Sequence, residues 1–596
     1  MRRANRRLGT QRADVRHGGA IGRADSTEAG VIVLTAAHAL QRHYRNSPDR
    51  PALHLQFSRQ PDTTVTYADL IRGAAGCARA LESAGIEPGE VVVLILQHGE
   101  PLVFAFFGAI LRGAIPSIMP FLTEKLSPEK YRQDLAALIA ATRPAAIITY
   151  PEFESEARAA MRPDSSVRAI LLSPTIAPDP EPTLDSLPGL RRSPDDIVLL
   201  QHSSGTTGLQ KGVALSHRAV FNQLNCYAKA IRLTADDTIV SWLPLYHDMG
   251  LIAGFIMPIL GGAPLALMSP FDWVRAPYRL MQAVSQYKGT LSWLPNFAFN
   301  FCAQKIRDRD LREAGVDLSS WRAVINCSEP MHFNSHEMFR QRFAPFGLRA
   351  DALATCYAMA ENVFAVTQGG IESPVTVDHV DGRSLLTERV ARPVPGGADS
   401  LKMLSCGRPL SNTRVRILDD SRHDLPDRHL GEIALQSDCM LIGYYRRDDA
   451  TAEAFHEGWY LTGDLGYVAD GEVYVTGRKK ELIIVGGKNV YPQDLERLAE
   501  NVAGVHAGRV VAFGVFNDET GTEDVVMVAE SDTDDEGERE RIAEEIRQRV
   551  TRGSDVALRR VKVVGAKWML KTSSGKPARL ANREKYLAET VTHDEG

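Results

Sequence analysis

The 596-residue chain has little that would tie it to a metal cluster, a nucleic acid or a membrane. Its cysteines are few and scattered: Cys77, Cys226, Cys302, Cys327, Cys356, Cys406 and Cys439. None forms C-x-x-C and none pairs with histidine at zinc spacing, which argues against a zinc ribbon and against a disulfide framework. Buried, inert thiols in a reducing cytoplasm fit this set. The formal charge of −5 offers no basic surface for nucleic acid. One stretch, Met249 to Phe271, is uncharged and long enough to cross a bilayer. Pro258, Gly261-Gly262, Pro264 and Pro270 interrupt it, which predicts a short buried helix, a turn and a strand, and no transmembrane segment. The start carries seven arginines between Arg2 and Arg23 but no apolar core of a signal peptide. Residues 1–30 therefore read as a disordered basic tail.

What is present is a globular composition, 44% hydrophobic and 24% charged, in a chain long enough for several subdomains. Thr66 to Gly85 reads as a capped amphipathic helix with Leu70, Ala74, Cys77, Ala78 and Leu81 on one face. The apolar runs Val91–Leu96, Ala145–Thr149, Ala169–Leu172 and Ile197–Leu200 alternate with helical segments, as strands of a parallel sheet do. Pro174 to Pro188, acidic and Pro-rich, reads as a surface linker. Near Gly431 the pattern changes. Gly431–Ser437 and Gly471–Gly477 alternate apolar and polar residues, as half-exposed antiparallel strands do. Past Gly477-Arg478-Lys479-Lys480, three strand-like runs (Leu482–Val485, Arg509–Val515, Val525–Ala529) and two charged helices (near Gln493–Ala499 and Asp535–Arg552) suffice for an α+β domain of about 110 residues.

The densest chemistry lies in Gln201-His202-Ser203-Ser204-Gly205-Thr206-Thr207-Gly208-Leu209-Gln210-Lys211-Gly212. A turn of Gly, Ser and Thr offers backbone N–H groups and hydroxyls at close range, with nothing bulky to keep a polyanion away. The spacing of a Walker A loop is absent. Ser216 is placed to cap a helix after it. Further polar turns follow apolar runs: Leu243-Pro244-Leu245-Tyr246-His247-Asp248-Met249-Gly250, Asn326-Cys327-Ser328-Glu329-Pro330, Tyr357-Ala358-Met359-Ala360-Glu361, Thr462-Gly463-Asp464 and Lys571-Thr572-Ser573-Ser574-Gly575-Lys576-Pro577.

Together and in this order, these segments resemble the adenylate-forming superfamily, which includes acyl-CoA synthetases, fatty acyl-AMP ligases, luciferases and peptide-synthetase adenylation domains. The resemblance covers about residue 35 to 590. It implies an α/β fold: a large N-terminal domain of β-sheets with helices and a β-barrel-like part (31–477), a hinge at 478–480 centred on Lys480, and a small mobile α+β domain (481–596). It also implies two half-reactions. A carboxylate attacks the α-phosphate of ATP to give acyl-AMP and pyrophosphate, and a thiol then displaces AMP. Such chemistry rests on positioning and charge neutralisation.

By this resemblance, Ser203, Ser204, Gly205, Thr206 and Thr207 would hold the β- and γ-phosphates, with Lys211 adding charge. Glu361 and Thr206 would hold Mg²⁺. Tyr357 and Ala358 would lie along the adenine, with Asn326, Ser328, Glu329 and Pro330 as the other wall. Asp464 would accept from the ribose hydroxyls beside Arg478. Lys576 would bridge the carboxylate and α-phosphate, and His247 would stand at the mouth of an acyl pocket formed by Trp293, Phe297, Phe299 and Met249.

Within the superfamily, three features are similar to fatty acyl-AMP ligases: the Leu-Pro-Leu-Tyr-His-Asp-Met-Gly segment, the Asn326–Pro330 turn, and a long separation from Glu361 to Gly407. The surplus, roughly 369–401, is similar to the insertion of that branch, and Ser405-Cys406-Gly407-Arg408-Pro409 follows it. Thr206-Thr207-Gly208 is closer to the general superfamily loop. The branch implies activation of a medium- or long-chain fatty acid and transfer to phosphopantetheine on a separate acyl carrier protein or polyketide/peptide synthase. Acyl-CoA synthetase chemistry with free CoA is the alternative.

Overall fold

A computed structural model describes residues 35–121, 128–202, 211–397, 400–481, 483–485, 488–490, 492–517, 522–554, 556–572 and 576–594. The basic tail, most of the Gly/Ser/Thr loop and the middle of the Lys571–Lys576 turn lie outside these residues. Among the described residues, no helix is long and apolar enough to cross a membrane. Met249–Phe271 contains eight residues of π-helix (Met249–Ile256), one α-helical turn (Met257–Gly261) and the strand Leu265–Met268, all buried but for Gly261 at the end of that turn.

The largest sheet has seven strands, in the order 353–356, 323–327, 291–294, 239–241, 265–268, 51–56 and 63–66. All neighbours are parallel except the last pair. A second, four-stranded parallel sheet runs in the order Ile115–Ile118, Val91–Leu94, Ala146–Thr149, Ala169–Leu172. Ala169–Leu172 is only half-buried, because it forms the sheet edge. Ile197–His202 does not join this sheet. It pairs antiparallel with Gly212–Ser216, bringing His202 opposite Gly212 across the Gly/Ser/Thr loop. An uncharged run of that kind suits either direction of pairing, and the partner strand decides.

Thr66 caps the helix Tyr67–Ser83 in a reciprocal capping box with Asp69, and Ser216 caps His217–Ala230 through the Ala219 N–H. Residues 174–188 are not a free linker. Asp179 pairs with Arg79, Leu184 is buried, and short 3₁₀ turns shape the strap.

A five-stranded antiparallel sheet (413–418, 431–437, 459–469, 455–456 and 472–478) forms the part that changes character near Gly431. The ribbon Val377–Val380 with Leu401–Leu404 packs on it through Tyr467 and Tyr474, and Arg428 binds Asp378 at 2.9 Å. Gly407 closes this region at φ +94°, where a Cβ would collide with the Gln368 backbone.

The C-terminal part has its own core. The strands Val510–Asn517, Thr522–Glu530 and Leu558–Val564 form a sheet against the helices Pro492–Glu500 and Glu536–Gly553. A last helix, Arg579–Asp594, packs Tyr586 near Phe513.

Candidate active site

Four neighbouring parallel strands of the seven-stranded sheet end on the same side, and each runs into one of the polar turns. Ile239–Ser241 leads to His247, Leu291–Leu294 to Phe297, Ala323–Cys327 to Ser328–Pro330, and Leu353–Cys356 to Tyr357–Glu361. In parallel sheets, ligands bind in the crevice outside the carboxyl ends of the strands. The antiparallel sheet supplies Asp464 and Arg478 from facing positions on paired strands.

The sequence-predicted nucleotide residues converge here. Asp464 is 5% exposed. Its Oδ2 accepts from the Tyr357 hydroxyl at 2.6 Å, and its Oδ1 from Arg478 Nε at 2.9 Å. The Asp464 charge raises the Arg478 guanidinium well above its ordinary range, while burial raises the Tyr357 hydroxyl. Glu361 Oε1 accepts from the Tyr444 hydroxyl at 2.9 Å, and Tyr444 in turn meets the Tyr460 hydroxyl at 2.9 Å. Lys211 Nζ lies 4.5 Å from the centre of the Tyr444 ring. Burial raises the Glu361 carboxyl. Ala358 bridges to Ala365 beside it. Ser203–Thr207 lie outside the described residues, so the cradle is represented by Lys211 and the strand ends on either side.

His247 Nδ1 meets Asp248 Oδ1 at 2.5 Å, and the same oxygen accepts from the Met249 N–H. Burial alone would raise the Asp248 carboxyl; His247 and the Met249 N–H hold it below the usual range. Gly250 is required at this turn, because a Cβ would collide with the Pro244 carbonyl. The π-helix begins at Met249, whose sulfur lies 3.8 Å from the Ser328 hydroxyl. Ser328 itself sits at φ +69° and Val363, two residues past Glu361, at φ +62°. Left-handed backbone at a serine and a β-branched valine is costly, and it falls on the two turns that build the site. Asn326 is buried and bonded to Asn296 and His336, so it anchors the wall rather than facing the crevice. Glu329 Oε2 accepts from the Phe297 N–H at 2.8 Å, and burial raises its carboxyl. Pro330 is exposed at the end of this turn.

Of the acyl-pocket residues, Trp293 is buried and donates to the Tyr227 hydroxyl at 2.7 Å. Phe297 meets Trp242 and Trp273 edge-on, and those two rings stack 3.6 Å apart. Phe299, two positions along the same helix, points elsewhere and packs on His336 and Phe339 in the core.

The C-terminal part meets this edge. Lys576 is partly buried, among Arg478, Glu329, Asp248 and Asp464. Burial first, and Arg478 second, push its ammonium below the ordinary lysine range. Arg497 donates to the Thr476 carbonyl at 3.2 Å, Asn334 to Asn501 at 3.3 Å, and His332 stands 3.6 Å from Glu500. Met403 bridges to His332, and Lys402 lies over the Phe333 ring at 4.4 Å. The ribbon that includes part of the surplus segment therefore props the segment that touches the C-terminal part. Lys480 lies in a 3₁₀ turn, Lys479–Glu481, directly after Arg478.

Sequence reasoning missed Tyr444, Tyr460 and the structural role of Asp248. Tyr444 reaches Glu361 across 83 residues, and no local spacing announces such a pair. Among the described residues, no group of three or more His, Cys, Asp or Glu side chains is arranged to hold a metal.

The polar turns at these strand ends thus meet the paired Asp464 and Arg478 of the antiparallel sheet and Lys576 of the C-terminal part. The AMP-binding enzyme family matches residues 40–445, and the chain belongs to it. A putative acyl-CoA synthetase of Caulobacter vibrioides is 30% identical, covering 88% of this chain and 91% of its own. The medium-chain-fatty-acid–[acyl-carrier-protein] ligase JamA of Moorena producens is 30% identical, covering 92% of this chain and 94% of its own. Among solved structures, one from structural and functional studies of fatty acyl-adenylate ligases of E. coli and L. pneumophila superposes with a TM-score of 0.81 at 28% identity, covering 94% of this chain and 98% of that one. The expected fold and superfamily are thus borne out.

Proposed function

We propose that the protein is a fatty acyl-AMP ligase, which activates a medium- or long-chain fatty acid with ATP and passes the acyl group to the phosphopantetheine thiol of an acyl carrier protein. The observation that carries this reading is the convergence of Lys576 with Asp464, Arg478, Asp248 and Glu329 at the strand ends. A carboxylate oxygen attacks the α-phosphorus, a new C–O–P bond forms, and the bond to pyrophosphate breaks. Both reactants are anions, so fixed cations around the phosphorus lower the barrier.

In this reading, Asp464 accepts from the ribose hydroxyls. As a carboxylate it is acceptor-only and suits two adjacent hydroxyls. Tyr357 and Arg478 hold it in place. Glu361 fits Mg²⁺. It is a buried carboxylate with one oxygen steadied by Tyr444, and a hard dication would reverse the penalty of burying its charge. Thr206 would add a hydroxyl to the same ion. The metal would draw charge from the phosphates. In the same reading His247, held by Asp248, would stand at the entrance to an acyl slot whose candidate lining is Phe297, Trp293 and Met249. Each buried methylene contributes about 0.8 kcal/mol, so an apolar slot alone favours longer chains.

The division into 31–477, a hinge at 478–480 including Lys480, and a mobile 481–596 belongs to the same proposal. Lys576 must leave before a thiol can enter, and a domain rotation gates the two steps. The ribbon's hold on His332–Phe333, which adjoin the Glu500–Asn501 contact, supports a restrained C-terminal domain and hence a carrier rather than free CoA. The free, buried cysteines support a cytoplasmic location. The test is product analysis by mass spectrometry with Mg-ATP, fatty acids, and either free CoA or a phosphopantetheinylated carrier. Acyl-AMP that is consumed only with the carrier is expected. Rapid acyl-CoA formation would make the chain an acyl-CoA synthetase.

A further inference from the structure

The Lys571–Pro577 turn brings two lysines to the site, and the mechanism above uses only one. Lys571 pairs antiparallel with Pro577, the Thr572 N–H donates to the Lys576 carbonyl at 2.7 Å, and the Lys576 N–H donates to Thr572 Oγ1 at 3.2 Å. The two lysines are therefore fixed relative to one another. They face different parts of the crevice. Lys576 stands among Arg478, Asp464, Asp248 and Glu329, towards the nucleotide side. Lys571 stands on the acyl side, its Nζ 5.4 Å from the centre of the Phe297 ring. Both share Glu329, whose carboxylate is tied to the Phe297 N–H.

The Lys571 ammonium has three N–H donors, yet among the described residues no acceptor lies within hydrogen-bond distance of it; it has the Phe297 ring face and the charges of Glu329, Glu530 and Arg509 around it. Lys571 is half-buried, and an ammonium at such a site with its donors unspent is favoured by an anion that joins it. We infer that Lys571 is a positioning and specificity residue that holds the carboxylate of the incoming fatty acid at the mouth of the acyl slot, leaving Lys576 to the α-phosphate. This rests on the fatty acyl-AMP ligase reading above. It explains why the ammonium lies against Phe297, where an acyl chain entering the slot would carry its carboxylate. It also couples closure to substrate. Adenylation turns the carboxylate into an uncharged mixed anhydride, so Lys571 loses its partner as the first half-reaction ends, which favours release of the turn. Burial, with Arg509 beside it, has pushed its ammonium down to about 8 against the opposing charges of Glu329 and Glu530.

The test compares wild type, Lys571→Met and Lys571→Arg by the initial rate of acyl-AMP formation from a fatty acid and Mg-ATP. The Met variant should raise KM for the fatty acid about ten- to hundredfold, as expected for losing a charge-assisted hydrogen bond. KM for ATP should stay within about twofold, and Arg should restore most of the fatty-acid KM. Both variants should keep the wild-type circular-dichroism spectrum and melting temperature, which reports that they are folded. An unchanged fatty-acid KM in Lys571→Met, or a loss in Lys571→Arg equal to that in Met, overturns the inference while leaving the acyl-AMP ligase reading intact. A folded wild type that forms no acyl-AMP from any fatty acid overturns both.

Discussion

The nucleotide wall and the lysine turn face each other across one crevice, and they are finished to different degrees. On the wall, three carboxylates each have fixed partners. Asp464 is bonded by Tyr357 and Arg478, Glu361 by Tyr444, and Asp248 by His247 and the Met249 N–H. On the turn, burial pushes Lys571 and Lys576 below the ordinary lysine range, and only charges at a distance compensate them. The wall is built within the large domain and must be in place before substrate arrives, which is what preorganisation requires. The turn is borne on the C-terminal part. In the proposal above, substrate anions complete its cations, which favours the closed arrangement while they are bound.

The sharpest way to break this comparison is to remove the cation at the chemical step. Lys576→Ala should bind ATP almost as wild type does but lose adenylation by about a hundred- to a thousandfold, the scale of one preorganised electrostatic group. Pre-steady-state acyl-AMP formation measures it, and unchanged turnover would remove Lys576 from the assigned role. Next in size, Asp464→Asn keeps the shape of the wall but loses its charge. KM for ATP should rise about tenfold or more, with fatty-acid KM little changed, because a charged acceptor of two hydroxyls is lost. Tyr444→Phe is smaller. It removes one neutral donor from Glu361, and the Mg²⁺ concentration for half-maximal adenylation should shift by a few-fold.

The smallest effect concerns pH. Glu500 lies half-buried where the C-terminal part meets His332, and burial raises its carboxyl to about 7, well above the unperturbed value. A raised acid stabilises the contact in its neutral form, and that contribution is lost as pH rises through about 7, when a charge must be buried. Protection factors in Pro492–Glu500, corrected for the intrinsic exchange rate at each pH, should therefore be higher at pH 6 than at pH 8, with the difference reduced in Glu500→Gln. Equal protection at both pH values would place the contact outside closure.

Much of the architecture was legible in the sequence because its signals are local. Thr66 and Ser216 cap their helices as their side chains predict, the breaks in Met249–Phe271 fall where Pro and Gly stand, and the polar turns follow the ends of apolar strands. What was missed depends on distance or on ambiguous periodicity. Ile197–His202 pairs antiparallel because of a partner beyond the loop, which an apolar run does not declare. Leu558–Val564, with two arginines and a lysine among its seven residues, conceals a strand whose outer face is polar. Tyr444 gains its role through Glu361, a residue far away in the chain. Phe299 looked like slot lining by composition, yet the helix turns it into the core.

The most direct test of the central claim is to follow ³²P from α-labelled ATP in single-turnover mixtures of enzyme, Mg²⁺ and a fatty acid, with and without Lys576→Ala. The account predicts label in a fatty acyl-AMP, one pyrophosphate released per acyl-AMP, and both products formed about a hundred- to a thousandfold more slowly in the variant. Release of ADP or orthophosphate without a labelled acyl-AMP would contradict it.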